Sequence, residues 1–292
     1  MRDFGYLEPQ TLQEACELLD KHCGEDGEAK ILAGGVSLAV LLKNNLVAPR
    51  YLINLKTVPN LDNIEYNSGS GARIGALAKE QSVIDSPIIR ERYPILAEAG
   101  LKIGYLAIRN QGTIGGNICH ADPTADFPPA LIALKARLKI ISSKGERTIP
   151  IEKLFVDYIE SSLEPTEILT EIEIPAPVPR TGWSFLELNK TSNSSAIVSV
   201  ATIISLDKGG RCQQAGLALG SVGLTPINVS KIGEIVMGKE VGSNLIEEVA
   251  LEAQNVCDPI FDVYGSSEYK REMVRVMTVR ALNQALTRCN GK

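Results

Sequence analysis

Two short glycine-rich runs constrain this chain more than any other feature of its sequence. They occupy residues 33–38 (AGGVSL) and 113–117 (TIGGN), and each precedes helix-compatible sequence. Adjacent glycines let the backbone approach a ligand closely and adopt positive φ, because they carry no Cβ that would clash. The amides at a following helix start then point at negative charge, commonly a phosphate. The two runs together predict a pyrophosphate held from both sides, and therefore a dinucleotide cofactor.

Neither run matches the common nucleotide-binding fingerprints. The spacing G-x-G-x-x-G of a Rossmann site is absent at both, and no G-x-x-x-x-G-K-[ST] of a P-loop occurs. Taken singly, each pair of glycines could be a tight turn that serves only chain reversal. Ser37 and Thr113 place hydroxyl groups beside the glycine amides, which favours the ligand interpretation for the two runs together.

The remaining patterns predict an α+β fold. A capping box at residues 11–14 begins a helix, and a strand, helix and strand at residues 29–33, 37–45 and 51–55 form a small βαβ unit. A second subdomain begins near residue 71, with helical sequence from about 81 to 106 and a helix at 128–135 whose two prolines suit its first turn. Residues 137–141 and 168–174 alternate as antiparallel strands do.

The proline-rich stretch at residues 175–179 (PAPVP) predicts an extended linker and a domain boundary. Beyond it, residues 194–206 and 212–222 predict a hairpin, and residues 246–254 and 268–286 predict helices. We therefore expect an N-terminal domain at 1–176, with subdomains at about 1–57 and 58–176, and a C-terminal domain at 180–290.

Composition and charge exclude several classes of function. The net charge of −5 and the absence of a basic, aromatic-interleaved cluster disfavour nucleic acid and anionic membranes as partners. The start of the sequence lacks the apolar segment of a signal peptide, and no apolar run approaches a membrane span. Six scattered cysteines without a C-x-x-C pair indicate reduced thiols, so we expect a cytoplasmic protein. With two histidines and no clustered thiols, neither a metal site nor an iron–sulfur cluster is expected in this chain.

Longer motifs around the glycine runs carry a resemblance to a known family. The first run, RNxGTIGGN at residues 109–117 and ADPxxD at residues 121–126 are followed by further matches at 167–175, 219–226 and 265–271. The chain resembles the FAD-binding medium subunit of the molybdenum hydroxylases, the family of xanthine dehydrogenase and aerobic carbon monoxide dehydrogenase. The resemblance spans nearly the whole chain. It implies a two-subdomain FAD-binding domain of the PCMH type, followed by a small C-terminal domain of antiparallel sheet and helices.

The resemblance also implies non-covalent FAD, lying between the two N-terminal subdomains. It assigns cofactor contacts to both runs, to the strand before the first run, and to four separate positions. These residues are Lys30, Ile31, Leu32, Ala33, Gly34, Gly35, Val36, Ser37, Leu38, Ile103, Thr113, Ile114, Gly115, Gly116, Asn117, Asp126, Leu169 and Lys190. No residue of the chain is assigned a catalytic role.

From the residues alone, several of these positions have a second interpretation. Asp126 suits a helix N-cap or first turn before two prolines, Ile103 and Leu169 suit ordinary core, and Lys30 suits a solvated strand edge. Glu187 stands where the family commonly has a lysine, and the sequence leaves open whether Lys190 takes the place of that lysine. A negative charge beside the flavin would lower its reduction potential.

The function that the resemblance implies is electron transfer within a complex. A large partner subunit would hold the molybdenum cofactor and a small one two [2Fe-2S] clusters, in a heterotrimer or a dimer of heterotrimers. Electrons would pass through the clusters to FAD in this chain and then to NAD, a quinone or another acceptor. Two alternatives remain at this point: a self-contained FAD oxidoreductase with its own substrate site, and a non-catalytic nucleotide-binding scaffold.

Overall fold

The computed structural model describes residues 2–23, 28–191 and 194–291. The N-terminal part contains a three-stranded parallel sheet in which β3 lies between the other two strands. Its strands are β1 (Gly5–Leu7), β2 (Ala29–Leu32) and β3 (Tyr51–Asn54), and its helices are α1 (Leu12–His22) and α2 (Val36–Lys43). Because β2 and β3 are parallel and joined through α2, the predicted βαβ unit is confirmed.

Helix α1 begins as its sequence predicts, with one difference. The Thr11 hydroxyl accepts a hydrogen bond from the Glu14 amide at 3.1 Å, which is half of a capping box. The Glu14 carboxylate accepts from the amide of Gln10 at 2.7 Å, one residue before the position that the motif predicts.

The next part is built on a five-stranded antiparallel sheet. In spatial order its strands are β4 (Ile64–Asn67), β5 (Gly71–Gly75), β10 (Ile168–Ile174), β6 (Arg137–Ser142) and β7 (Gly145–Pro150). A small two-stranded sheet pairs β8 (Phe155–Asp157) with β9 (Glu160–Ser161). The predicted antiparallel pairing of the segments at 137–141 and 168–174 is confirmed, with Ile172 opposite Leu138.

Short helices connect the strands of this part. They are α3 (Glu80–Asp85), α4 (Pro87–Arg92), α5 (Pro94–Gly100), α6 (Leu106–Arg109), α7 (Ile114–His120) and α8 (Phe127–Ala133). The expected helical stretch from 81 to 106 was wrong in its continuity, since Pro87 and Pro94 each begin a new helix. Proline lacks an N–H and keeps the preceding residue out of helical conformation, and Ser86 is accordingly extended.

The C-terminal part is a four-stranded antiparallel sheet with helices. Its strands follow chain order and are β11 (Thr181–Leu188), β12 (Val198–Leu206), β13 (Cys212–Gly220) and β14 (Ile227–Asn228). Its helices are α9 (Ile232–Val236), α10 (Ser243–Val256) and α11 (Ser267–Cys289). The predicted hairpin is confirmed as β12 and β13. All nine residues of β12 are buried, and it packs against both α11 and α8.

The apolar core crosses the predicted domain boundary. Phe127 and Leu131 of α8 belong to the same buried cluster as Phe185 and Ile203 of the C-terminal sheet. The division into domains near residues 175–179 stays a prediction, because the packing on its two sides is continuous. Within the described ranges, no helix has the length and apolar character that crossing a membrane requires.

Candidate cofactor-binding cavity

The first glycine run forms the turn between β2 and α2. Gly35 has φ +81°, a left-handed conformation that glycine adopts without strain, and it occupies the N-cap position of α2. No side chain caps this helix, and its first internal hydrogen bond joins the Ala39 amide to the Gly35 carbonyl. Within the described chain, the amides of Val36, Ser37 and Leu38 therefore have no partner, and all three residues line a cavity.

The second glycine run lies directly against the first. The Gln111 side-chain amide donates to the Gly34 carbonyl at 2.8 Å. A Cβ on Gly34 would lie 2.5 Å from the carbonyl oxygen of Gln111 and 2.9 Å from the Cα of Gly112. Gly34 is therefore required because two backbone segments meet at this position.

The amides of the second run differ from the expectation. The Gly115 amide donates to the Ala76 carbonyl at 2.9 Å, and the Gly116 amide donates to the Thr113 hydroxyl at 3.1 Å. A Cβ on Gly115 would lie 2.6 Å from the Cβ of Ala76, so this glycine serves close packing. The amides expected to bind a second phosphate are thus already satisfied inside the protein. The groups of this run that remain for a ligand are the Thr113 amide, which has no partner among the described residues, the Thr113 hydroxyl hydrogen and the Asn117 side chain.

One cavity of about 800 Å³ joins the two runs, within the volume range of small-molecule sites. Most of the residues that the sequence assigns to the cofactor line it. These are Lys30, Ile31, Ala33, Gly34, Gly35, Val36, Ser37, Leu38, Ile103, Thr113, Gly115, Gly116, Asn117, Asp126 and Leu169. Three are not among its lining residues: Leu32, Ile114, which is fully buried in the core, and Lys190, which is exposed.

Comparisons with known proteins match this fold along its whole length. The family described as "FAD binding domain in molybdopterin dehydrogenase" matches residues 2–177, and "CO dehydrogenase flavoprotein C-terminal domain" matches residues 183–285. The carbon monoxide dehydrogenase medium chain of Hydrogenophaga pseudoflava is 34% identical, with 98% of each chain covered. A solved carbon monoxide dehydrogenase from that organism superposes with a TM-score of 0.93, covering 99% of both chains.

The chain belongs to the FAD-binding medium subunits of the molybdenum hydroxylases. Another relative, the 6-hydroxypseudooxynicotine dehydrogenase complex subunit alpha of Paenarthrobacter nicotinovorans, is 35% identical over 98% of this chain and 95% of that protein. The resemblance drawn from the sequence motifs is therefore confirmed, and with it the α+β fold of an FAD-binding domain and a C-terminal domain.

In this medium subunit, Glu187 reaches the cavity from β11, at the position where the resemblance led us to expect a lysine. Its side chain is only 4% exposed and lies 3.7 Å from the ammonium of Lys102. Lys102 thus brings a positive charge to this wall from another part of the chain. Lys190, the substitute considered from the sequence, is exposed.

Asp126 and Glu187 form a carboxyl pair in the same wall. Burial raises the pKa of Asp126 well above its usual range, and a hydrogen bond to Glu187 with its charge raises that pKa further. Asp126 therefore keeps its proton at neutral pH. It occupies the N-cap position of α8 without making a capping hydrogen bond, so its side chain is free of the structural role considered for it.

Two apolar positions lie both in the core and in the cavity wall. Ile103 and Leu169 are buried in the main core cluster and also line the cavity. Both interpretations drawn from the sequence, core packing and a wall for the cofactor, are therefore compatible with where the structure places these side chains.

Glu80 is a cavity residue that sequence reasoning missed. It is 4% exposed and begins α3, and its Oε1 accepts a hydrogen bond from the Asn117 side-chain amide at 3.2 Å. Burial raises its pKa to about 7, against the opposing effects of Asn117 and Arg109. No motif marks the position, because its burial depends on contacts with α7, more than 30 residues further along the chain.

Proposed function

We propose that this chain holds FAD in the cavity between the two glycine runs and passes electrons within a molybdenum hydroxylase complex. The observation that carries the proposal is the uncapped start of α2, whose three amides line a cavity closed on the other side by the second run. A helix start of this kind favours a phosphate. When bound, FAD supplies a centre that accepts electrons singly and delivers them in pairs.

The polar groups of the cavity fit a dinucleotide. Oxygens of Glu80 (Oε2) and Asn117 (Oδ1) are buried in it and have no hydrogen-bond partner in the described residues. Buried polar atoms are rarely left unpaired in a native protein, so such atoms point to a missing partner. Lys30 and Lys102 place two cations in the wall, which suits a ligand that carries a diphosphate.

The roles that we assign to the chain's own residues are binding and positioning. The first-turn amides of α2 and the Thr113 hydroxyl hold phosphate oxygens. Ile103 and Leu169 present apolar surface that excludes water from the cofactor. No side chain of this chain needs to move a proton to or from the organic substrate, since that chemistry belongs to another subunit.

The relatives' names support a role in a larger assembly, since they are medium chains or lettered subunits of dehydrogenases. We infer that this chain binds a large subunit with the molybdenum cofactor and a small subunit with [2Fe-2S] clusters, as a heterotrimer or its dimer. Electrons enter from the clusters and leave to NAD, a quinone or another acceptor.

Isolation of the chain from its native host, through an affinity tag, tests this function. We expect one FAD per chain, released unmodified on denaturation, together with two further polypeptides, molybdenum and iron. A chain that purifies alone with flavin, and whose flavin is reduced directly by an organic substrate, would support the self-contained oxidoreductase. A chain that neither carries nor takes up flavin, alone or in its complex, would support the scaffold.

A further inference from the structure

The interior of the cavity is acidic, although its expected ligand is an anion. Its lining carries seven carboxyl groups and the imidazole of His120, against two lysines, Lys30 and Lys102; the carboxyl groups are those of Glu80, Asp122, Asp126, Glu160, Glu164, Glu167 and Glu187. Charges in a water-poor site interact strongly, and a carboxylate beside a phosphate is unfavourable. Asp126 avoids this cost because it is already neutral at physiological pH. Glu167 and Glu187 have ion pairs with Arg147 and Lys102, and Glu160 and Glu164 are exposed. Glu80 is buried and has no ion pair among the described residues, so its charge remains to be accounted for.

Glu80 is packed against the second glycine run. The Glu80 amide donates to the Gly112 carbonyl at 3.0 Å, and a Cβ on Gly112 would lie 2.8 Å from the carboxyl carbon of Glu80. Gly112 in turn touches Gly34 of the first run. The carboxyl group therefore lies immediately behind the junction of the two runs.

The Glu80 carboxylate has one hydrogen bond and no counter-ion within salt-bridge distance in the described structure. Its Oε2 is unpartnered, as is the neighbouring Oδ1 of Asn117. Two buried acceptor oxygens lack a donor, and a proton on Glu80 would provide one.

The charged groups around Glu80 do not replace that proton. Arg109 of α6 acts on it from a distance, but its guanidinium donates to Gln81 and to the carbonyls of Ile103 and Gly104. From the start of α8, Asp126 faces it.

The charges of the other packed helices pair elsewhere. Arg90 of α4 bonds Asp85 of α3, and Glu98 of α5 bonds Arg288. In the part of the chain that the structure describes, no cation forms an ion pair with Glu80, and the more distant charge of Arg109 only partly offsets the effect of burial on its pKa.

We propose that Glu80 is the proton-binding group of the cofactor cavity, and that its carboxylate takes one proton from solvent when the dinucleotide binds. The product is a neutral carboxylic acid, which removes one negative charge and adds one hydrogen-bond donor. This inference rests on the proposed function, because it requires the dinucleotide to occupy this cavity.

The proposal fixes how proton uptake and FAD affinity change with pH. Before binding, the pKa of Glu80 is about 7, so the group is mostly ionised at pH 8 and mostly neutral at pH 6. The entering phosphates and the loss of water both favour the neutral form. Binding should therefore take up about 0.9 proton at pH 8 and about 0.1 proton at pH 6. Affinity should fall above pH 7, approaching tenfold per pH unit.

Isothermal titration calorimetry measures the proton uptake directly. The full chain, alone and in its co-purified complex, is stripped of flavin and titrated with FAD at pH 6 and pH 8. At each pH the titration is run in two phosphate-free buffers that differ in ionisation enthalpy, MES and Bis-Tris at pH 6 and HEPES and Tris at pH 8. Glu80→Gln should bind FAD without this uptake and with an affinity that hardly changes between the two pH values. Glu91→Gln is the matched control, since Glu91 is exposed on α4 outside the cavity.

The outcomes separate this inference from the function on which it rests. Wild-type chain that binds FAD at pH 8 without proton uptake would overturn it, as would undiminished uptake in Glu80→Gln. Loss of the uptake in Asp126→Asn, with normal uptake in Glu80→Gln, would assign the proton to the carboxyl pair and overturn the inference as well. Failure to bind FAD even at pH 6, in chain or complex, contradicts the proposed function instead.

Discussion

Replacing Gly34 with alanine tests whether contact between the two glycine runs is needed for cofactor binding. The added Cβ would lie 2.5 Å from the Gln111 carbonyl oxygen, 2.9 Å from the Gly112 Cα and 3.1 Å from the Thr113 nitrogen. All three are backbone atoms, so no side chain can turn away. The runs would have to separate by about 1 Å to restore ordinary contact distances of about 3.5 Å.

The expected loss of FAD affinity follows from that separation of the two runs. Overpacking of this kind costs about 1–3 kcal/mol, and loss of the hydrogen bond from Gln111 to Gly34 costs about 1 kcal/mol more. If FAD requires the two runs to be in contact, the sum of these costs, about 2–4 kcal/mol, is lost from the free energy of FAD binding. The affinity for FAD then falls by about 25- to 700-fold.

Fluorescence titration of FAD into the flavin-free chain measures the change. Gly233→Ala in α9 is the matched control, because a Cβ there meets only the Met237 side chain at 4.0 Å. It should leave FAD affinity unchanged. If Gly34→Ala bound FAD within about twofold of the wild type, a difference of about 0.4 kcal/mol, the interdependence of the two runs would be refuted.

Three further predictions concern stability. Arg288→Met removes a bidentate ion pair with Glu98 across the predicted domain boundary; thermal unfolding should show a loss of about 1–3 kcal/mol, and an unchanged transition would contradict the account. Burial raises the pKa of Glu80 from 4.5 to about 7. Its ionisation should therefore lower the free energy of unfolding by up to about 3 kcal/mol as the pH rises from about 4.5 through about 7. In urea unfolding, Glu80→Gln should flatten the dependence of the unfolding free energy on pH. An unaltered dependence on pH would contradict the raised pKa of Glu80. Gly115→Ala should destabilise the chain by about 1–3 kcal/mol through its clash with Ala76, whereas unfolding at the wild-type urea concentration would show that the site relaxes.

Local patterns predicted the elements around the first glycine run well. The capping residue Thr11 and the parallel strands around α2 depend on neighbours in sequence or on one short crossover. The breaks at Pro87 and Pro94 were missed, although each proline carries the signal, because helical periodicity continues across them.

The parts of the site that sequence reasoning did not predict depend on distant contacts. The Gly115 amide is satisfied by the carbonyl of Ala76, nearly 40 residues earlier. Glu187 meets Asp126 and Lys102 only because the C-terminal sheet packs against the first part of the chain. Such pairs leave no periodic pattern in one sequence, so neither the satisfied amides nor the neutral carboxyl could be read from it.

Hydrogen–deuterium exchange with and without FAD tests the central claim most directly. The account predicts strong slowing at the amides of Val36, Ser37 and Leu38, which have no partner in the described chain before binding. It predicts little change at the Gly115 and Gly116 amides, which are already hydrogen-bonded. If bound FAD left the start of α2 exchanging as fast as before and protected another surface, the cofactor would not be held at the junction of the two glycine runs.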